Sequence, residues 1–348
     1  MEAVEFGHVE CFKRAKDKVG HNVLMYAAQF GQIKFSRWAL KNGYQFHTFG
    51  IEAAVQHNRV EYLQWAQKEH VYFPKSLCRL AAYANSFEAL KWLVEEGYEW
   101  DGNEICAGAA KHGNWKMIAF AKKLNMSWDF TTCENAAKYG HFEFLKWCRR
   151  EGCPWSDGAI EDSAEAEHWD IVFYLIENNC PVSWSACVPL SRNFEALQAA
   201  CNKTIVGRCF DGVLADVIKI GDDRCVDLLI AKGAPVNKWA ALAAARSGKF
   251  ELLKKFHQEG CPLSRNVALA IAETGNLDAF KWLVSCLTDV EDVYLFIQDC
   301  CFESIPSGSI ELVAYCIENG ATWSDEYYKV AKQYHHVELV AWAKSNGF

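Results

Sequence analysis

The segment Ala136–Asp157 reads AAKYGHFEFLKWCRREGCPWSD, and its parts recur along the chain. It opens on paired alanines, breaks at Gly140-His141 and runs on through Phe142–Arg150. It breaks again at Gly152 and closes on Cys153-Pro154-Trp155. Between the breaks the apolar residues are Phe142, Phe144, Leu145, Trp147 and Cys148, with Glu143, Lys146, Arg149 and Arg150 among them. That spacing has a helical period, not a strand period. Glycine at each break permits the left-handed backbone that ends a helix. The segment predicts two short helices and an aromatic link to the next unit.

Working outward, the acidic Glu143 has counterparts at Glu10, Glu61, Glu88, Asp170, Glu195, Asp227, Glu251, Asp278, Glu311 and Glu338, with Lys34 and Lys116 in its place in two copies. The commonest interval is 27 residues, and two are longer: Glu195 to Asp227 is 32 and Asp278 to Glu311 is 33. Paired alanines precede Gly or Asn at Gly31, Asn85, Gly113 and Gly248, where two helix backbones can approach closely. Second-helix glycines match Gly152 at Gly43, Gly97, Gly233, Gly260, Gly320 and Gly347. Past them come Phe46, Phe73, Trp100, Trp155, Leu263 and Trp323, often followed by Asp or Ser (Asp101, Asp129, Ser156, Ser264, Ser324). These have the chemistry of N-caps, and Asp101 with Glu104 has capping-box spacing. Trp100 with Ile105 and Trp155 with Ile160 have the spacing of a hydrophobic staple.

The pattern Ala-Ala-x-x-Gly-His-x-Glu, closed by Gly nine residues later and complete from Ala136 to Gly152, resembles the ankyrin repeat. The variant with Leu-Lys-Trp in the second helix and Cys-Pro-Trp after it is similar to divergent repeats common in proteins of large DNA viruses of amoebae and some protists. The resemblance covers nearly the whole chain. It implies an all-α solenoid of about 12 helix-turn-helix units over 1–348, with irregular or degenerate repeats at 196–226 and 285–310. Two departures bear on function. The Thr-Pro-Leu-His signature is absent, and the common unit is about six residues short of the usual ankyrin length. The β-hairpin fingers are therefore expected to be shortened or absent, which moves the contact surface to the groove formed by the first helices.

Bulk composition agrees. Hydrophobic residues are 51%, charged residues 23%, and the net charge of −8 has no acidic or basic block. That balance argues against a general phosphate-binding surface, so nucleic acid is not expected as a direct ligand. No apolar run approaches the ~20 residues that span a bilayer. The N-terminal stretch has no apolar core or cleavage site of a secretory signal, and no separate effector module is expected beyond the repeats. The 16 cysteines form no C-x-x-C pair, and a chain of this length needs no disulfide staples. A reducing intracellular compartment is expected: the cytoplasm, that of an infected host cell included, or a virion.

Residues with chemical potential fall on repeat positions. Cys78, Cys106 and Cys133 sit seven residues before the first-helix break, Cys153, Cys180 and Cys261 precede Pro in the link, and Cys148 and Cys316 fill a second-helix slot. Periodic positions are packing positions, so no metal site and no cofactor are expected. Trp38, Trp65, Trp92, Trp147, Trp282 and Trp342 lie four residues after the acidic marker and, with the link aromatics, read as core. His8, His141, His168 and His336 occupy the slot after the turn, where a ring nitrogen can bond a neighbouring loop. No phosphate loop, dinucleotide fingerprint, zinc-protease helix or nucleophile elbow is present, so no catalytic activity is expected. What varies from copy to copy lies just before each turn: Phe30, His57, Tyr83, Lys111, His112, Lys138, Tyr139 and Arg246. These are the expected partner contacts of a protein-interaction scaffold or adaptor, monomeric by itself, whose partner is another protein. The alternative is a structural subunit of a larger particle or ribonucleoprotein assembly.

Overall fold

The structure, a computed structural model, describes residues 23–203, 205–206, 209–220, 222–286 and 293–348. The repeat elements read at Gly7-His8, Glu10 and Lys13-Arg14 lie outside the described residues. The described chain forms two compact units, Met1–Pro181 and Val182–Phe348.

In the first unit, helix pairs follow one another: Val23–Gln29 with Ile33–Lys41, Thr48–Gln56 with Val60–Lys68, Leu77–Tyr83 with Phe87–Glu95, Gly102–Lys111 with Trp115–Lys123, Phe130–Lys138 with Phe142–Arg150, and Gly158–Glu165 with Trp169–Glu177. The second unit holds Cys187–Leu190 with Phe194–Cys201, Val213–Ile220 with Asp223–Ala231, Lys238–Arg246 with Phe250–Gln258, Arg265–Thr274 with Leu277–Cys286, Val293–Ser304 with Ile310–Glu318, and Asp325–Gln333 with Val337–Ser345. The chain is thus an all-α helical-repeat solenoid. No hairpin finger lies between pairs among the described residues. The described strands are Val182–Ser183 and Ile205–Val206, which pair in parallel, Val182 opposite Ile205. Ile205–Val206 falls within the long Glu195 to Asp227 interval, between Phe194–Cys201 and Val213–Ile220. In 285–310 the first helix itself is longer, Val293–Ser304, and a 3-10 turn follows it at Ile305–Ser307.

Helices of seven to ten residues are marginal alone in water, so packing must hold them. Each first helix packs on its own second helix and, through most of each unit, on the next first helix. Ala81, Ala82, Ala109, Ala110, Ala136 and Ala137 are fully buried between them. The approach is close enough that a Cβ on Gly108 would lie 2.7 Å from the Ala82 carbonyl carbon. Second helices contribute the larger residues. Phe144, Leu145 and Cys148 are buried, and Trp65 and Trp92 are 5% and 8% exposed. Each such side chain adds roughly 1.5–3 kcal/mol of apolar burial.

The breaks form as the residue types require. Gly140 and Gly152 have φ of 76° and 86°, and the Cys153 N–H bonds back to the Cys148 carbonyl at 2.9 Å, closing a Schellman-type end. Asp101 and Asp129 cap their helices, accepting from Asn103 N at 2.8 Å and Thr131 N at 3.0 Å. The capping box does not close, because Glu104 turns to Arg79 of the preceding pair, 3.4 Å away. Ser264 and Ser324 stand at N-caps with extended backbone, but their side chains accept no capping bond. Trp100 departs from the core reading of the link aromatics: it is 45% exposed. By contrast Trp128 meets Trp147 at 5.8 Å, and Trp323 meets Trp342 at 6.3 Å.

Candidate binding surface at the first-helix ends

Each first helix ends with carbonyls that have no partner in their own helix. One of them, two residues before the turn, is taken by a side chain of the next pair. Arg59 Nε donates to the Gln29 carbonyl at 2.9 Å, Ser86 Oγ to Gln56 at 2.9 Å and His141 Nε2 to Lys111 at 3.0 Å. In the second unit His336 Nε2 donates to Pro306 at 2.7 Å. Where Asn114 fills the usual slot it bonds Asn85 instead, and His112 Nε2 takes the Tyr83 carbonyl at 2.8 Å. These ties hold successive turns in register.

The histidine rings also lie flat over the preceding turn. A Cβ on Gly113 would come 2.8 Å from the His141 ring, on Gly140 2.8 Å from the His168 ring, and on Gly308 2.6 Å from the His336 ring. Where the slot holds Ser86 or Asn114, the turn beneath is Asn58 or Asn85, in the same left-handed conformation at φ 57° and 60°. The small side chain above leaves room for the larger residue below.

With that carbonyl occupied, the side chains just before the turn are left at the surface. Tyr83, Lys111 and Tyr139 come from three consecutive pairs. The Lys111 ammonium stands 5.7 Å from the Tyr83 ring centre and 5.6 Å from that of Tyr139, within cation–π range of both. Arg79, one turn earlier on the Tyr83 helix, places its guanidinium 5.7 Å from the centre of the Tyr83 ring. Next in the row, Lys138 bonds Asp162 at 2.9 Å, which raises the lysine's proton affinity. Carboxylates surround the row. Burial raises the Tyr83 hydroxyl pKa, Arg79 opposes the rise, and Glu104 and Asp129 add to it. Glu134 is raised mainly by burial; a hydrogen bond from Ser156 opposes this, and Asp162, Asp157 and Asp129 add to it.

The expected contacts thus divide. Tyr83, Lys111, Lys138 and Tyr139 form one surface. His112 has its ring nitrogen on a backbone carbonyl and holds the repeat together. His57 is exposed at the end of Thr48–Gln56. Phe30 is half-buried at its turn and lines a cleft with Arg59, Glu61 and Glu88. Arg246, in the second unit, lines a separate cleft with Lys219 and the exposed Trp239. The sequence reading missed Arg79, Glu134 and Asp162. Arg79 was legible as four residues before Tyr83, hence on its face; Asp162 meets Lys138 only through the packing of two helices.

The fifteen described cysteines are free thiols, all buried except Cys209 and Cys286, which are half-buried. Two of them donate to link carbonyls at short range: Cys153 Sγ to Asp129 at 3.3 Å and Cys180 Sγ to Ser156 at 3.2 Å. Among the described residues no group of His, Cys, Asp and Glu is arranged to hold a metal ion. No described helix is long and apolar enough to cross a membrane.

No protein family's sequence profile matches the chain, and no curated protein matches it. Among the solved structures that share its fold are two of the pentatricopeptide repeat protein PPR10 in complex with an 18-nt psaJ RNA element. The first is 11% identical with a TM-score of 0.54, and covers 98% of this chain and 61% of that one. The second, a variant of that protein with cysteines replaced by serine, is 10% identical with the same TM-score and coverage. The chain therefore spans 61% of the length of the proteins it resembles. At this identity the likeness shows the fold alone. It corrects one expectation: the exclusion of nucleic acid as a direct ligand is overturned, because RNA is held on this very fold. The exclusion rested on net charge, a sum over the whole chain that says nothing of a local row of aromatic and cationic side chains.

Proposed function

We propose that this chain is a non-catalytic binding scaffold whose ligand is another protein, held along the first-helix ends of the first unit. The observation that carries the reading is the Tyr83–Lys111–Tyr139 row. Three consecutive pairs bring two tyrosines and a lysine together just before their turns, while the alanines, cysteines and tryptophans beneath repeat. Several side chains with catalytic potential are otherwise employed: the Cys153 and Cys180 thiols bond link carbonyls, and the His112, His141 and His336 rings tie turns together. Free thiols throughout fit a reducing compartment, and the ankyrin-like Gly-His turn is our assignment of the repeat class.

A second reading, RNA as the ligand, is favoured by the likeness to PPR10 in its RNA complexes, since tyrosine faces can stack bases. One experiment separates the two. The chain and a Tyr83→Ala/Lys111→Ala/Tyr139→Ala variant are purified from the native host with and without ribonuclease, and bound proteins and RNA are identified. The first reading predicts a stoichiometric protein that survives ribonuclease and is lost from the variant, with circular dichroism unchanged. Retention of that protein by the variant refutes the site; RNA bound directly, with any protein lost on ribonuclease treatment, establishes the second reading.

A further inference from the structure

Resting on the protein-partner reading, we infer that the Tyr83–Lys111–Tyr139 surface accepts a basic segment of the partner, whose lysine or arginine enters between the two rings in place of Lys111. The two rings already form a cation site, and the chain's own lysine fills it, about equally distant from both. A lysine ammonium is a compact charge on a flexible stem, able to swing into solvent, whereas an arginine guanidinium stacks on aromatic faces. An incoming arginine is thus the better occupant.

Charge around the rings points to the same ligand. Glu104 and Asp129 act on Tyr83. The local cations are already engaged, Arg79 with Glu104 at 3.4 Å and Lys138 with Asp162 at 2.9 Å. The next first helix, Gly158–Glu165, carries Glu161, Asp162 and Glu165 and no basic residue. A segment running past Tyr139 meets carboxylates, which draw a cationic chain toward the rings. The two tyrosine rings supply the contact area, and the carboxylates supply direction.

The test uses the full chain and a fluorescent peptide of Arg-Gly-Ser repeats, read by anisotropy, with a Glu-Gly-Ser peptide and mixed-sequence single-stranded RNA as comparison probes. Tyr83→Leu/Tyr139→Leu should weaken the basic peptide about tenfold, as loss of a cation site between two rings implies, with circular dichroism unchanged. Lys111→Met, which vacates the site, should strengthen it. The same change made on the Tyr83→Leu/Tyr139→Leu background should lose most of that gain, because only charge repulsion is then relieved. Equal binding by the chain and the double leucine variant overturns the inference, as does RNA binding that the basic peptide does not displace. A protein partner recovered from the host that the basic peptide fails to displace also overturns it, while leaving the scaffold reading standing.

Discussion

Substituting alanine for Gly113 tests the inter-repeat tie where the His141 ring lies against the turn. Gly113 has φ of 57°, so an L side chain there meets the left-handed cost of about 1–2 kcal/mol, partly offset by a less flexible unfolded chain. The new Cβ would also lie 2.8 Å from the His141 ring. The ring must move, and the Lys111 carbonyl then loses a hydrogen bond now 3.0 Å long. Losing such a bond costs about 1 kcal/mol, so Gly113→Ala should total about 2 kcal/mol. Gly152 is the control. It also has positive φ, 86°, but nothing lies within 4 Å of its would-be Cβ. Gly152→Ala should therefore cost only about 1 kcal/mol. His141→Ala alone removes the tie at about 1 kcal/mol, and adding Gly113→Ala should then cost no more than Gly152→Ala does. The assay is urea unfolding followed by circular dichroism on all four variants, with amide hydrogen exchange to localise the loss, because repeat arrays open in parts. Equal costs for Gly113→Ala and Gly152→Ala, or strict additivity of Gly113→Ala and His141→Ala, would refute the tie.

Other consequences can be checked in the same preparations. Trp147→Ala removes a half-buried ring that meets Trp115 at 5.5 Å and Trp128 at 5.8 Å; it should cost about 3 kcal/mol in urea unfolding, and an unchanged midpoint would break the repeat alignment. Gly108→Ala should destabilise by more than about 1 kcal/mol despite alanine's better helix propensity, because its Cβ would press on Ala82; a stabilised variant would show that the helices can part. Burial pushes the Cys106, Cys180, Cys187 and Cys300 thiols up to about 12. The unfolded chain loses those protons from about pH 9, so stability should fall as pH rises from there, by about 1.4 kcal/mol per pH unit for each thiol. Below about pH 9 these groups should contribute no pH dependence, and a flat urea midpoint through about pH 10 would contradict their burial. With a water-soluble thiol reagent on the native chain, Cys209 and Cys286 should react before the buried cysteines; uniform labelling of all of them would contradict the packing.

Much of this fold was written in periodicities that a single repeat carries. Paired alanines, the Gly or Asn break, the apolar stripe of Phe142–Arg150 and the closing Gly152 are local signals. Each acts on backbone or on an adjacent turn, so they predicted the helix pairs, the breaks and the role of the cysteines as packing. The His slot was legible for the same reason: it recurs. The limits are equally physical. A capping box was inferred from spacing alone at Asp101 and Glu104, but Arg79 of the preceding pair offers Glu104 an opposite charge, and the longer-range partner wins. Trp100 read as core because its neighbours in register are, yet its ring lies at the surface.

Sequence alone determined the repeat: short helices, tight left-handed ends, aromatic links, and no room for fingers, because these follow from dihedral preference and apolar period. Only the tertiary structure decided which side chains face outward together. His112 and Tyr83, read side by side as contacts, were separated when one ring nitrogen found the other residue's carbonyl. Tyr83, Lys111 and Tyr139 became one cation site only when three first helices stacked. Val182–Ser183 could pair with Ile205–Val206 only after the helix pair between them, Cys187–Leu190 and Phe194–Cys201, had folded. Each of those contacts joins residues some twenty to thirty positions apart, a separation over which only packing, not propensity, sets the distance.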